Sequence, residues 1–161
     1  MFFTAAKRGS LWQIWGVLVA TLLAIWLTLW LTRPAATAVS MTPLSGLMTL
    51  KVMAADVVPY EMAIASQKPT FIEFYADWCT TCQSMSATVE KLHWRYGEQI
   101  NFVMLDIDNP QWATQIADYG VSGVPQFTLI DADHQPLKTW VGKVPKAVIS
   151  DVFEQILTPV S

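Results

Sequence analysis

Residues Phe71–Gln83 read FIEFYADWCTTCQ. The β-branched and aromatic run before Asp77 predicts a strand, and its weak alternation predicts one covered on both faces. That strand leads into Cys79 and Cys82, the only cysteines among 161 residues. A helix-forming run follows. Four chemistries use a Cys-x-x-Cys pair. A redox disulfide places it at a helix N-terminus. A zinc site needs four ligands, and His93 and His134 lie far apart without ligand spacing. Covalent haem attachment needs His directly after the second Cys, where this chain has Gln83. Two unreactive thiols in a core are the last alternative. The strand before the pair and the helix after it favour the redox reading.

Composition narrows the field. The net charge of −3 argues against nucleic-acid binding. Two cysteines cannot form a structural disulfide framework, so a disulfide here is expected to be functional. Met48, Met53 and Met62 form no spaced metal-binding cluster. No metal and no cofactor are expected. Hydrophobic residues make up 53% of the chain against 14% charged, and the apolar excess lies at the N-terminus.

There, residues 11–32 read LWQIWGVLVATLLAIWLTLWLT without a charge. As a helix this stretch would be ~33 Å long, enough for a ~30 Å hydrocarbon core. Trp12, Trp15 and Trp30 would suit the two interfaces. Ala36-Thr37-Ala38 offers a signal-peptidase site, but the apolar run is longer than a signal peptide's, so an uncleaved single-pass anchor is expected. Lys7 and Arg8 precede it and Arg33 follows it. The positive-inside rule then puts the N-terminus on the cytoplasmic or stromal side and the bulk of the chain across the membrane. The expected division is residues 1–33 as tail and anchor, 34–55 as linker and 56–161 as an α/β domain. Within the linker, Leu44–Met53 is apolar enough to be a short helix or a docked edge strand.

Past Asp56 the pattern alternates. Val58, Met62 and Ala65 share a helical face within Val57–Gln67. Thr70–Ala76 is the strand described above. Met85, Val89 and Leu92 mark a helix over Thr80–Tyr96, with Gly97 as its C-cap. Ile100–Ile107 is a second strand, and Asn109-Pro110 opens a helix through Ala117. Gln126–Asp131 and Leu137–Val141 are further strands, and Lys146–Leu157 is a last amphipathic helix. Strands alternating with helices imply parallel pairing by crossover, and the last two strands imply an antiparallel hairpin.

This order, with the dithiol at the first strand-to-helix junction, resembles the thioredoxin fold: a central mixed sheet flanked by helices, here preceded by a single transmembrane helix. Trp78-Cys79-Thr80-Thr81-Cys82 looks like the family's Trp-Cys-x-x-Cys site, and Gly123-Val124-Pro125 like its cis-proline loop. Gly142 stands where the family has a glycine at the end of its last strand. Several strings are similar to the membrane-anchored thioredoxin-like proteins of cyanobacteria and chloroplasts: Val58-Pro59-Tyr60, Lys68-Pro69-Thr70, Glu73–Cys79 and Asn101–Leu105. The resemblance implies a protein-disulfide reductase on the lumenal side of the thylakoid or the periplasmic side of the plasma membrane. Its partners would be disulfide-containing client proteins and a membrane thiol transporter that supplies electrons, and its role would be cytochrome assembly.

Roles follow from the resemblance and from local physics together. Cys79 at the helix N-terminus is expected to be the nucleophile, because unpaired N–H groups and the helix dipole stabilise a thiolate there. Cys82, a turn inside, is expected to resolve the mixed disulfide. In the family a buried acid passes protons to the second cysteine, and Glu73 stands at the matching place; burial would raise its pKa. The resemblance makes Val124-Pro125 a cis bond presenting a backbone edge to substrate, with Trp78 as an apolar contact surface. Asp77 is expected to be solvated and to disfavour the thiolate. Thr80-Thr81 replaces the Gly-Pro of soluble thioredoxins, Met104 stands where a lysine is common, and Ala87 where a proline is. Two other functions compete: a disulfide oxidant or isomerase, and a non-redox tethered scaffold or chaperone.

Overall fold

The computed structural model describes residues 10–31 and 43–158, with side chains over 15–28 and 44–158. It divides into two compact units, Met1–Ser40 and Met41–Ser161.

In the first unit, helix α1 runs over Ser10–Leu31. Its described side chains, residues 15–28, carry no charge and are exposed, Trp15 and Trp26 among them. The Thr21 and Thr28 hydroxyls donate to the carbonyls of Leu18 and Ile25, so these polar groups are satisfied by the helix itself. Among the described residues, no helix is long and apolar enough to cross a membrane. The expected span is therefore not shown among the described residues. The flanking charges Lys7, Arg8 and Arg33 and the linker residues 34–42 lie outside them.

The second unit is built on a four-stranded sheet in the order β2-β1-β3-β4. The strands are β1 Thr70–Tyr75, β2 Asn101–Asp106, β3 Gln126–Ile130 and β4 Pro136–Val141. All six residues of β1 are buried, Thr70 and Glu73 included, as its weak alternation predicted. Phe71 and Tyr75 point to one face, into a cluster that contains Met85, Val89, Leu92, Ile149 and Phe153. Ile72 and Phe74 point to the other, among Ala63, Val103, Leu105 and Ile130. Phe71 anchors the first cluster, stacked on Phe127 at 5.5 Å and edge-on to Phe153 at 5.1 Å between ring centroids.

Helices α4 Thr80–Tyr96 and α6 Lys146–Leu157 have the expected bounds. Gly97 caps α4 through a bond to the His93 carbonyl, at φ −61° rather than in a left-handed turn. Helix α3 is shorter than expected, Tyr60–Ile64, because Pro59 sets its N-cap. Its buried face centres on Ala63, with Val58 and Ile64 packed against the same cluster, while Met62 and Ala65 are exposed, so the predicted face of Val58, Met62 and Ala65 is not the buried one. The segment after β2 is a 3₁₀ turn, Pro110–Trp112, followed by α5 Ala113–Asp118.

One pairing differs from expectation. β1 and β2 are parallel, joined by α4, but β3 runs antiparallel to β1. β3 begins beside Phe74, at the same end where Asp106 of β2 lies beside Tyr75, and runs back the other way. The β3–β4 hairpin is antiparallel as expected.

The larger difference is α2, Pro43–Asp56. These residues were expected as linker, with a docked segment left open. They form a helix inside the second compact unit, whose boundary is Met41. Leu50 and Met53 are buried in the core beside α4. The two helices meet closely at Gly46, where a Cβ would sit 2.7 Å from the Gln83 carbonyl oxygen, and the Ser86 hydroxyl donates to the Gly46 carbonyl at 3.2 Å. Any larger residue at position 46 would push the helices apart.

Candidate active site

The turn from β1 into α4 presents the dithiol. The Cys79 N–H bonds the Ala76 carbonyl, and the Gln83 N–H bonds the Cys79 carbonyl. Cys79 is the N-cap of α4, with extended backbone at φ −77° and ψ 102°. Its sulfur takes the place that a Ser or Asp oxygen takes in an ordinary cap, accepting the Cys82 N–H at 3.0 Å. No acidic residue stands in the first turn of α4, so no competing anion occupies the positive end of the helix dipole. Cys79 and Cys82 are joined in a disulfide with their Cα atoms 5.3 Å apart. Cys79 is 5% exposed and Cys82 fully buried, so the sulfur at the cap is the more accessible of the two.

Glu73 lies in the middle of β1, on the face of Phe71 and Tyr75 that packs against α4. Its cross-strand neighbours are Met104 and Phe127. The side chain is 1% exposed, and neither carboxylate oxygen has a hydrogen-bond partner. Burial alone pushes its pKa up to about 8. Met104, which stands where a lysine is common, is its β2 neighbour and carries no charge.

A test of this burial follows from linkage. The fold prefers the neutral acid, so the acid's stabilising share is complete below its ordinary value of 4.5 and is lost as pH rises through about 8. Wild type is expected to lose roughly 2–3 kcal/mol between about pH 6 and pH 9 relative to Glu73→Gln. Urea midpoints at the two pH values read this difference; midpoints that fall in parallel would refute an acid held neutral by burial.

The third element is the loop before β3. The Val124–Pro125 bond is cis. The Pro125 carbonyl accepts the Gly142 N–H at 2.8 Å, and Gly142 holds φ +83°, a backbone that a side chain would strain. The loop is clamped from beneath by Gln126, which is 1% exposed. Its Nε2 donates to the Tyr119 carbonyl at 3.1 Å, and its Oε1 accepts the Ser122 N–H at 3.3 Å. Gly123 and Val124 line a groove of about 450 Å³ together with Trp78, Ile107, Ile116, Val121 and Ser122. Trp78 is 64% exposed, and its indole N–H donates to Asp108 Oδ2 at 2.7 Å. The indole plane thereby has a fixed anchor beside the dithiol.

The structure thus brings Cys79, Cys82, Trp78, Val124 and Pro125 to one end of the sheet, with Glu73 beneath them on the α4 side. Three residues not singled out in the sequence join them. Asp108 holds Trp78, Gln126 holds the loop, and Lys51 of α2 forms an ion pair with Asp77. Asp77, expected to be simply solvated, is partnered. Asp108 had a weak signal, an acid just past a strand end. Lys51 had none, because its partner lies far along the chain. Among the described residues, no three His, Cys, Asp or Glu side chains come together as a metal site requires.

The thioredoxin family model matches residues 51–155. Two relatives share about two-fifths of their residues with this chain over 66% of its length. The thiol:disulfide interchange protein TxlA of Synechococcus elongatus is 41% identical over 106 residues, 56% of its own length. The chloroplastic thioredoxin-like protein HCF164 of Oryza sativa is 40% identical over 106 residues, 40% of its own length. The match therefore spans about half the length of these curated relatives. Among solved structures, oxidised mitochondrial thioredoxin 3 of Saccharomyces cerevisiae superposes with a TM-score of 0.53 at 23% identity, over 63% of this chain and 97% of that one. At that identity the likeness concerns the fold alone.

Proposed function

This chain belongs to the thioredoxin family, and from that premise we propose that it is a membrane-tethered thiol–disulfide oxidoreductase that reduces disulfides of lumenal or periplasmic proteins. The observation that carries the chemistry is the Cys79 sulfur at the N-cap of α4, accepting the Cys82 N–H. With the pair reduced, that N–H and the helix terminus favour the Cys79 thiolate. The thiolate attacks one sulfur of a client disulfide; the Cys79–client bond forms, and the other client sulfur leaves as a thiolate and takes up a proton. Cys82 gives up its proton and attacks the Cys79 sulfur, which releases the second client thiol. The client gains two electrons and two protons, and the chain is left with its Cys79–Cys82 disulfide. Glu73, in the layer beneath the pair, is the group we assign to take the Cys82 proton, since burial gives it a pKa suited to proton transfer near neutrality. The groove lined by Trp78 and Val124 would hold the client backbone in extended form.

The proposed setting rests on α1 and on the relatives. A 22-residue helix without charge, exposed wherever its side chains are described, supports a single-pass anchor. Its flanking charges favour a cytoplasmic or stromal N-terminus, with the second unit lumenal or periplasmic. The likeness to a thiol:disulfide interchange protein and to a chloroplastic thioredoxin-like protein supports a thylakoid or plasma-membrane site. Clients that are cytochromes under assembly, and a membrane thiol transporter as electron donor, belong to the same proposal.

The test is the reduction potential of the full chain in detergent, titrated against glutathione and dithiothreitol and read by thiol alkylation. A value near ~−270 mV, that of a thioredoxin, is expected. A value above ~−150 mV would mark a disulfide-forming oxidant, and no exchange in the folded protein would leave a scaffold.

A further inference from the structure

The dithiol end of the sheet is acidic. Glu73 and Tyr75 stand on β1, Asp106 at the end of β2, Asp108 just past it, and Asp77 in the turn two residues before Cys79. Their fields overlap: burial first, then the charges of Asp106, Asp77 and Glu73, hold the Tyr75 hydroxyl up at about 12. The aspartates of this surround oppose a thiolate at Cys79, because like charges disfavour the charged form. Asp77 matters most by position. Its backbone carbonyl accepts the Gln83 Nε2 at 2.7 Å, so the residue is fixed against α4. Its Oδ1 is buried and has no hydrogen-bond partner. Its Oδ2 meets Lys51 Nζ of α2. Lys51 is held there by the burial of Leu50 and Met53 on either side of it and by the close contact at Gly46. The ammonium is stabilised first by its bond to Asp77 and further by the charges of Asp77 and Asp106.

We propose that Lys51 is a positioning residue of the dithiol: by pairing with Asp77 it offsets a carboxylate charge beside Cys79 and so keeps the Cys79 sulfur in the thiolate form that attacks. The inference rests on the redox role proposed for Cys79. It makes α2 more than packing, because the helix delivers the cation that the turn itself lacks. The pair is partly exposed, with the Lys51 and Asp77 side chains 54% and 42% accessible, so its effect is moderate and falls with added salt.

The test uses the reduced full chain in detergent and the pH dependence of Cys79 alkylation by iodoacetamide. Lys51→Met, which keeps an apolar stem on α2, is expected to shift the profile to higher pH and to slow alkylation at pH 7 about threefold. Asp77→Asn shifts it the other way. Lys51→Arg restores the wild-type profile, and Lys51→Met with Asp77→Asn lies near wild type, since removing the acid leaves nothing to offset. An unchanged profile in Lys51→Met overturns the inference, as does a shift of the same sign in Asp77→Asn. Should Lys51→Met unfold, the Asp77→Asn profile decides alone. Reduction of a client disulfide by wild type is scored separately. A chain that shifts its profile as expected yet reduces nothing keeps the charge coupling and loses the proposed function.

Discussion

Cys79→Ser is expected to bring disulfide reduction down to the uncatalysed background. A serine hydroxyl at the α4 cap still accepts the Cys82 N–H, so the fold is retained. What is lost is the sulfur that can ionise near neutral pH and exchange with a disulfide. Cys82→Ser is expected to behave differently. It keeps the attacking sulfur at the accessible cap and removes the buried one, which is 0% exposed. The first step then proceeds and the second cannot. The variant should accumulate a mixed disulfide with client, visible as a shifted band on a non-reducing gel and abolished by dithiothreitol. Equal trapping by the two single variants would mean that the cysteines are interchangeable and that the cap geometry does not set their order.

The second large effect concerns stability. A chain cut to residues 56–161 lacks α2 and so leaves uncovered the core surface that Leu50 and Met53 occupy. Each fully buried side chain of this size contributes ~1.5–3 kcal/mol. The shortened chain is therefore expected to be less stable than residues 41–161 by roughly 3–6 kcal/mol, a large part of the ~5–15 kcal/mol available to a domain. Its urea midpoint should fall accordingly, and Asp77 should lose its cation with the helix. Equal midpoints for the two lengths would show that α2 packs without stabilising.

Sequence and tertiary structure divided the work along a physical line. Elements with strong internal periodicity were legible from residues alone. Met85, Val89 and Leu92 marked α4, and the amphipathic pattern of 146–157 marked α6, because each helix buries a stripe that its own spacing encodes. The β-branched and aromatic run of β1, without strong alternation, announced a central strand. The dithiol at its end marked the site, and apolar neighbours on both sides of Glu73 announced its burial. The three-dimensional structure alone decided what depends on distant partners. The Leu44–Met53 run could have been a helix or a strand; it became part of a helix docked on the core because Gly46 lets it approach Gln83 and Ser86 closely. The direction of β3 is set by its pairing with β1, which places Gln126 beside Phe74, not by any pattern within β3. The Lys51–Asp77 pair joins residues far apart in sequence. Periodicity is a property of neighbours along the chain, whereas docking, strand direction and charge pairing arise only once packing brings separate segments together.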